Sequence, residues 1–227
     1  MAVEKELLIS ILKLTKDGPV QRILICKDAR VPHKLTEEML ERFVQLGLVS
    51  LKEKLVKATL NQRVRMAIQA INSGADLERV CKFLAWNEFE NLAVVAFKIN
   101  QYRVEKHFRF KWAGRRWEID ILGCKKPLIV CVDCKHWHRG WSRAAIIKTV
   151  QAQIQRARNL ADGFHFLSNN IGVAEWKRVK LVPVVLSLVA APFKFYNSVP
   201  IVPILQLQDF LNELPAQTNS LTHFNVS

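Results

Sequence analysis

A chain of 227 residues, half of them hydrophobic, has the length for one large or two small folded domains and is no disordered tail. Its formal net charge of +14 is unevenly spread: residues 1–80 carry 14 basic and 10 acidic side chains, and the remainder carries 20 and 10. Residues 134–161 hold six Lys or Arg and no Asp or Glu, a run that favours a polyanion, nucleic acid ahead of an anionic membrane surface.

The chain starts Met-Ala-Val-Glu-Lys-Glu, with acids where a signal peptide carries bases. The apolar run 181–192 is short and proline-bounded, unlike a transmembrane helix. Five cysteines, an odd number, do not suggest a disulfide framework. These features predict a cytoplasmic protein with no membrane partner.

Residues 4–14 read as a helix, with Leu7, Leu8, Ile11 and Leu12 along one stripe, broken by Gly18-Pro19. A second helix is expected over 20–27. A third follows Thr36 as N-cap, with Glu37 and Glu38 in its first turn, and stops at Gly47. Residues 48–55 and 56–60 suit a small β-wing, and 61–71 a further helix. Three short helices and a hairpin resemble a winged helix-turn-helix. The third helix offers Glu37, Glu38 and Glu41 against Arg42, so a protein partner or a second copy is as good an expectation as DNA. Asp76 is expected to cap a short linking helix ending at Leu84.

The next helix opens Trp86-Asn87-Glu88-Phe89-Glu90. Asn87 and Glu90 fit a capping box, yet Glu90 shares a stripe with Ala93, Val94 and Phe97, where a buried acid is costly without a role. Glu88 reads as peripheral. A strand over 102–112 comes next. Two apolar runs, 119–122 and 128–132, then flank Gly123-Cys124-Lys125-Lys126-Pro127 and predict a hairpin with a loop of about five residues. The second run ends on Asp133-Cys134-Lys135. Alternation puts Asp133 and Lys135 on one face of that strand, and Asp120 of the partner strand can reach the same end. Two carboxylates beside a lysine suit a hard divalent cation and a phosphate.

At these residues the chain resembles the PD-(D/E)xK nuclease superfamily, the fold of restriction endonucleases and archaeal Holliday-junction resolvases. Asp120, then Asp133-x-Lys135, match the motif, and Glu90 matches the acid of a preceding helix; Trp86-x-Glu-Phe-Glu resembles the opening of archaeal and Mrr-like members. The commoner motif has Glu where Asp133 stands and Pro where Ile119 stands. The resemblance covers 86–214. It implies an α/β, restriction endonuclease-like core with a central mixed sheet flanked by helices, behind a small, mostly helical, winged-helix-like domain. It also implies Mg²⁺, replaceable by Mn²⁺, held by Asp120, Asp133 and Glu90, with Lys135 positioning the attacking water, and hydrolysis leaving a 5′-phosphate.

After the motif, His136, Trp137 and Arg139 lie in an aromatic and basic loop suited to stacking on bases and holding phosphates, or simply folded over the next helix. Residues 144–161 form a helix with Ile147, Val150, Ile154, Ala157 and Leu160 inward. Many superfamily members place a Gln or a base here near the metal; Gln153 and Arg156 are the candidates, Gln151 and Gln155 the alternatives. Arg115, Arg116, Arg143 and Lys148 join His136, Trp137, Arg139 and Arg156 as expected nucleic-acid contacts. Residues 178–188 read as a buried strand, 201–204 as another and 209–214 as a short helix. Cys131-x-x-Cys134 with His136 and His138 invites a zinc reading, but residues three apart on a strand face opposite ways.

The expected division is a winged-helix-like domain over 1–72, a linking helix over 73–85, a nuclease-like domain over 86–214 and a flexible tail over 215–227. The functional expectation is a metal-dependent DNA nuclease of repair, recombination or restriction. The alternatives are a non-catalytic DNA-binding or regulatory protein that keeps the fold, or an RNA-processing nuclease.

Overall fold

A computed structural model describes residues 2–135, 142–188 and 190–226. The chain divides into two compact units, Met1–Asn91 and Leu92–Ser227.

The first unit runs α1 (Ala2–Leu14), β1 (Val20–Gln21), α2 (Arg22–Ala29), α3 (His33–Gln45), β2 (Ser50–Lys52), β3 (Leu55–Lys57), α4 (Leu60–Asn72) and α5 (Leu77–Cys81). The stripe Leu7, Leu8, Ile11 and Leu12 is fully buried, and α1 packs on α2 and α4. The expected helix over 20–27 is instead a short strand and then a helix: Val20 pairs with Val56, so β1 joins the wing in a three-stranded sheet of order β1-β3-β2. The wing itself is confined to 50–57, turning at Glu53 with φ 54°. Thr36 is not the N-cap of α3. Pro32 holds that place at φ −54°, the value its ring imposes, and the Thr36 hydroxyl donates back to the Pro32 carbonyl one turn earlier. Thr59 caps α4 in a full capping box with Gln62. Asp76 caps α5 as expected, accepting from the Arg79 N–H at 2.8 Å.

The helix α6 (Trp86–Ile99) starts in the first unit and continues into the second. Its expected capping box is displaced by two residues. The Glu88 carboxylate, not that of Glu90, accepts the backbone N–H of Ala85 at 2.7 Å. Glu88 is no peripheral acid: it is 1 % exposed and bonded to Arg63.

The second unit continues β4 (Arg103–Trp112), β5 (Arg115–Lys125), β6 (Leu128–Lys135), α7 (Arg143–Asp162), α8 (Phe164–Ile171), β7 (Val179–Ser187), β8 (Phe195–Tyr196), β9 (Val199–Pro203), α9 (Leu207–Gln217) and β10 (Phe224–Val226). Its mixed sheet has the order β4-β5-β6-β7-β9-β8, antiparallel from β4 to β6, parallel from β6 through β7 to β9, with β8 antiparallel to β9. The parallel step from β6 to β7 needs a long crossover, which α7 and α8 supply. β7 is buried along almost its whole length, as a central strand covered on both faces must be.

The β5–β6 connection is a two-residue turn, Lys126-Pro127, and not a five-residue loop. Gly123, Cys124 and Lys125 belong to the strand. Gly123 is where α6 meets the sheet: a Cβ there would lie 2.3 Å from the Phe97 ring, which is fully buried. Gly123→Ala is therefore expected to cost about 1–3 kcal/mol by overpacking, read as a lower urea midpoint at unchanged m-value.

The segment expected as a flexible tail is ordered. β10 pairs antiparallel with β7 at Val179–Leu181, on the edge whose upper part, Val185–Ser187, is taken by β9. Between those two partners sits Pro183, which has no N–H to offer a ladder.

Candidate active site

Asp133 and Lys135 close β6, two residues apart and on the face covered by α7. The β5–β6 ladder ends at Ile121↔Val132, one step before Asp120 and Asp133. Here the Asp120 carboxylate replaces the ladder and accepts the Cys134 N–H through Oδ2 at 2.7 Å. The β4–β5 ladder skips the same step: Lys106↔Ile121 and Phe108↔Ile119 pair, while His107, at φ 53°, and Asp120 do not. Both strands change pleat phase at this kink, since Ile119 and Leu122, which a regular strand would place on opposite faces, enter one apolar cluster. Asp120 thus stands where its strand is released by both neighbours.

Asp133 is 3 % exposed and meets two cations. Arg156 Nη1 donates to Oδ1 at 2.9 Å. The Lys135 ammonium lies 2.8 Å from Oδ2 as a charge pair, but that buried oxygen receives no aligned hydrogen bond. Arg156 comes from α7, one turn beyond Gln153. Gln153 is fully buried and satisfied in both directions, donating to the Cys131 carbonyl at 2.6 Å and accepting from Arg156 Nη1 at 3.3 Å. A rail of hydrogen bonds therefore runs from β6 through Gln153 and Arg156 back to β6. Beside it, Val185, Ile146, Val150, Val199 and Ile201 form an apolar cluster. Lys135 and Arg156 remain about a quarter exposed, so the acid is reached from solvent past its two cations.

Asp120, Asp133, Lys135, Gln153 and Arg156 are thus neighbours. Glu90 belongs to the first unit, where it is 1 % exposed and accepts from Trp86 Nε1 at 2.7 Å. Ile146, rather than Ile147, is the fully inward residue of α7, and Ile147 and Ile154 are half-buried. Arg115 and Arg116 are exposed at the start of β5, after a tight turn at Ala113-Gly114. Arg116 lines a groove of about 560 Å³ with Arg109, Phe110, Lys111, Trp117 and Glu118. The Arg109 hydrogen bond holds the Glu118 carboxyl below its usual range. Arg143 and Lys148 are exposed on α7. His136, Trp137 and Arg139 lie outside the described residues. Arg156, expected with Gln153 on the helix after β6, bonds Asp133 directly.

Mg²⁺ takes one or two carboxylates and completes its shell with water and substrate phosphate. Asp120 and Asp133 can supply such carboxylates, Asp133 with one oxygen facing Lys135 and the other bonded to Arg156. Among the described residues no three His, Cys, Asp or Glu side chains are grouped as a metal cage. The cysteines are all free. Burial pushes the Cys124 thiol up to about 11 and that of Cys131 higher still.

The molecule is an α/β protein with a mixed sheet flanked by helices and a helical N-terminal region. No family model matches the chain. A protein of Archaeoglobus fulgidus, itself uncharacterised, is 24 % identical over 131 residues, 58 % of this chain and 92 % of that one. The crystal structure of the protein VC1899 from Vibrio cholerae is similar at a TM-score of 0.40 and 11 % identity, over 96 % of this chain. The chain spans about half the length of that protein, 53 %. Among the described residues no helix is long and apolar enough to cross a membrane.

Proposed function

We propose that this chain is a metal-dependent nuclease that hydrolyses DNA phosphodiester bonds. The observation that carries the reading is the approach of Asp120, at the kink of β5, to the end of β6, where Asp133 and Lys135 pair. Asp120 and Asp133 hold Mg²⁺ or Mn²⁺, which when bound supplies Lewis acidity toward the scissile phosphate. Lys135 orients the attacking water and offsets charge on the phosphoryl oxygens. Water adds to phosphorus as the bond to the leaving 3′ oxygen breaks, giving a 5′-phosphate and a 3′-hydroxyl. Glu90 is kept as a supporting acid on the sequence resemblance alone. Arg115, Arg116, Arg143 and Lys148, together with His136, Trp137 and Arg139, hold the backbone. Such a substrate, and five free thiols, go with a cytoplasmic setting.

A second reading, a DNA-binding protein that keeps the architecture without cutting, draws on the double neutralisation of Asp133 by Lys135 and Arg156. For the first unit, exposed Glu38 and Glu41 on α3 favour a protein partner or a second copy over DNA.

The test is cleavage of labelled single-stranded, duplex, flap and four-way-junction DNA, and of RNA, with and without Mg²⁺ or Mn²⁺, beside Lys135→Ala. Ion-dependent cutting of DNA that is lost in the variant is the expected result. Binding without cutting on every substrate would replace this reading by the second, and cutting of RNA alone would change the substrate.

A further inference from the structure

The geometry points to Arg156 as a gate on the metal site, closed in the free protein and opened by a substrate phosphate. This rests on the proposed nuclease reading and adds to it an order of events. A divalent ion entering beside Asp133 meets a carboxylate already paired with two cations. Lys135 pairs with one carboxylate oxygen, Oδ2, from the same strand. Arg156 is different. It reaches Asp133 from α7, touches it through a single nitrogen, and has 28 % of its side chain open to solvent. That nitrogen is shared between the carboxylate and Gln153, so the rest of its planar fork makes no bond to Asp133 and is free to meet a phosphate in a bidentate pair.

A phosphodiester arriving at the site competes with Asp133 for this guanidinium. When the phosphate takes it, Asp133 Oδ1 is released and its charge is no longer offset from α7. The ion then finds two carboxylates and a phosphate oxygen in place of a carboxylate under guard. Gln153, anchored on the Cys131 carbonyl, accepts from the same Nη1 that bonds Asp133 and so offers that nitrogen a second acceptor when the carboxylate is given up. Metal and nucleic acid should therefore bind with positive coupling, and by linkage each should tighten the other equally. Arg156 is on this account a positioning residue: it acts on the ion through Asp133.

The experiment is a Mn²⁺ titration followed by electron paramagnetic resonance on the wild-type chain, Arg156→Gln, Arg156→Lys and Asp133→Ala. Each is measured alone and with a phosphorothioate-backbone duplex that resists cutting. The expected pattern is weak Mn²⁺ binding by the free wild type, tightened about tenfold or more by the duplex, within the range usual for site coupling. Arg156→Gln should bind Mn²⁺ about tenfold more tightly than the wild type without DNA and gain little when DNA is added. Arg156→Lys keeps the charge and should stay close to the wild type without DNA. Equal affinity in the wild type and Arg156→Gln, or equal tightening by the duplex in both, overturns the gate. The nuclease reading survives that outcome if Asp133→Ala alone abolishes Mn²⁺ binding. Absence of Mn²⁺ binding in every protein, with and without the duplex, overturns both.

Discussion

If the chain is the nuclease proposed above, Asp133→Asn is expected to lower ion-dependent DNA cleavage by about 10³-fold or more, since loss of a metal ligand would remove several kcal/mol of transition-state stabilisation and each 1.36 kcal/mol is tenfold in rate. The substitution keeps the shape of a side chain that is only 3 % exposed, so packing around β6 and α7 is spared. It removes the charge that balances Lys135 and Arg156. DNA should therefore bind at least as tightly as before, because a negative group facing phosphates has become neutral. Rates and binding are to be measured on the same preparation, with a thermal melt to show that the two unbalanced cations have not loosened the site. Cleavage within a few-fold of wild type would remove Asp133 from the chemistry.

The second large effect concerns stability and falls far from that site in sequence. Arg63 is buried in the first unit and spends all five donors: Nε on Glu88 Oε1 at 2.5 Å, Nη1 on the Leu12 carbonyl and the Thr15 hydroxyl, and Nη2 on the Phe83 carbonyl at 2.7 Å and Glu88 Oε2 at 3.4 Å. One guanidinium thus ties together α1, α4, the segment after α5 and the first turn of α6. Glu88→Ala leaves that cation without a counter-charge in a dry interior and also strips the acceptor from the Ala85 N–H. The expected loss is about 3–5 kcal/mol, a large share of the ~5–15 kcal/mol that holds a domain folded. Arg63→Met combined with Glu88→Leu should recover most of it, because removing both charges together removes the desolvation cost as well. Urea unfolding of the single and double variants decides the matter. A loss below about 1 kcal/mol for Glu88→Ala would mean the pair behaves like a surface ion pair.

The contrast between Glu88 and Glu90 shows what local pattern can carry. Both acids lie in the first turns of one helix, and their spacing from Asn87 favoured Glu90 as the cap. The residue that is actually capped is Ala85, whose side chain gives no signal, and Glu88 is buried because Arg63 waits for it from 25 residues away. Asp133 and Lys135 were legible because strand alternation is a short-range rule, and Gln153 because helix periodicity is another. The kink at His107 and Asp120 was not, since a missing ladder step depends on three strands meeting. The same holds for β10: three residues have no pattern of their own, and only their pairing with β7 makes them a strand. The two-residue turn escaped for a different reason. Gly123, which looked like turn chemistry, is there to let Phe97 approach the sheet.

β10 has a consequence for how the protein is made. β7 is a central strand of the second unit, yet among the described residues one edge of its first half is closed by residues 224–226 alone. A ribosome delivers β4, β5, β6 and β7 well before those residues emerge. During that interval the strand exposes a row of unpaired N–H and C=O groups between apolar side chains, the kind of edge that recruits a foreign strand. Pro183 sits in the middle of that edge and denies any such visitor a continuous ladder. The residue that native pairing has to step around thus also guards the nascent chain against mispairing.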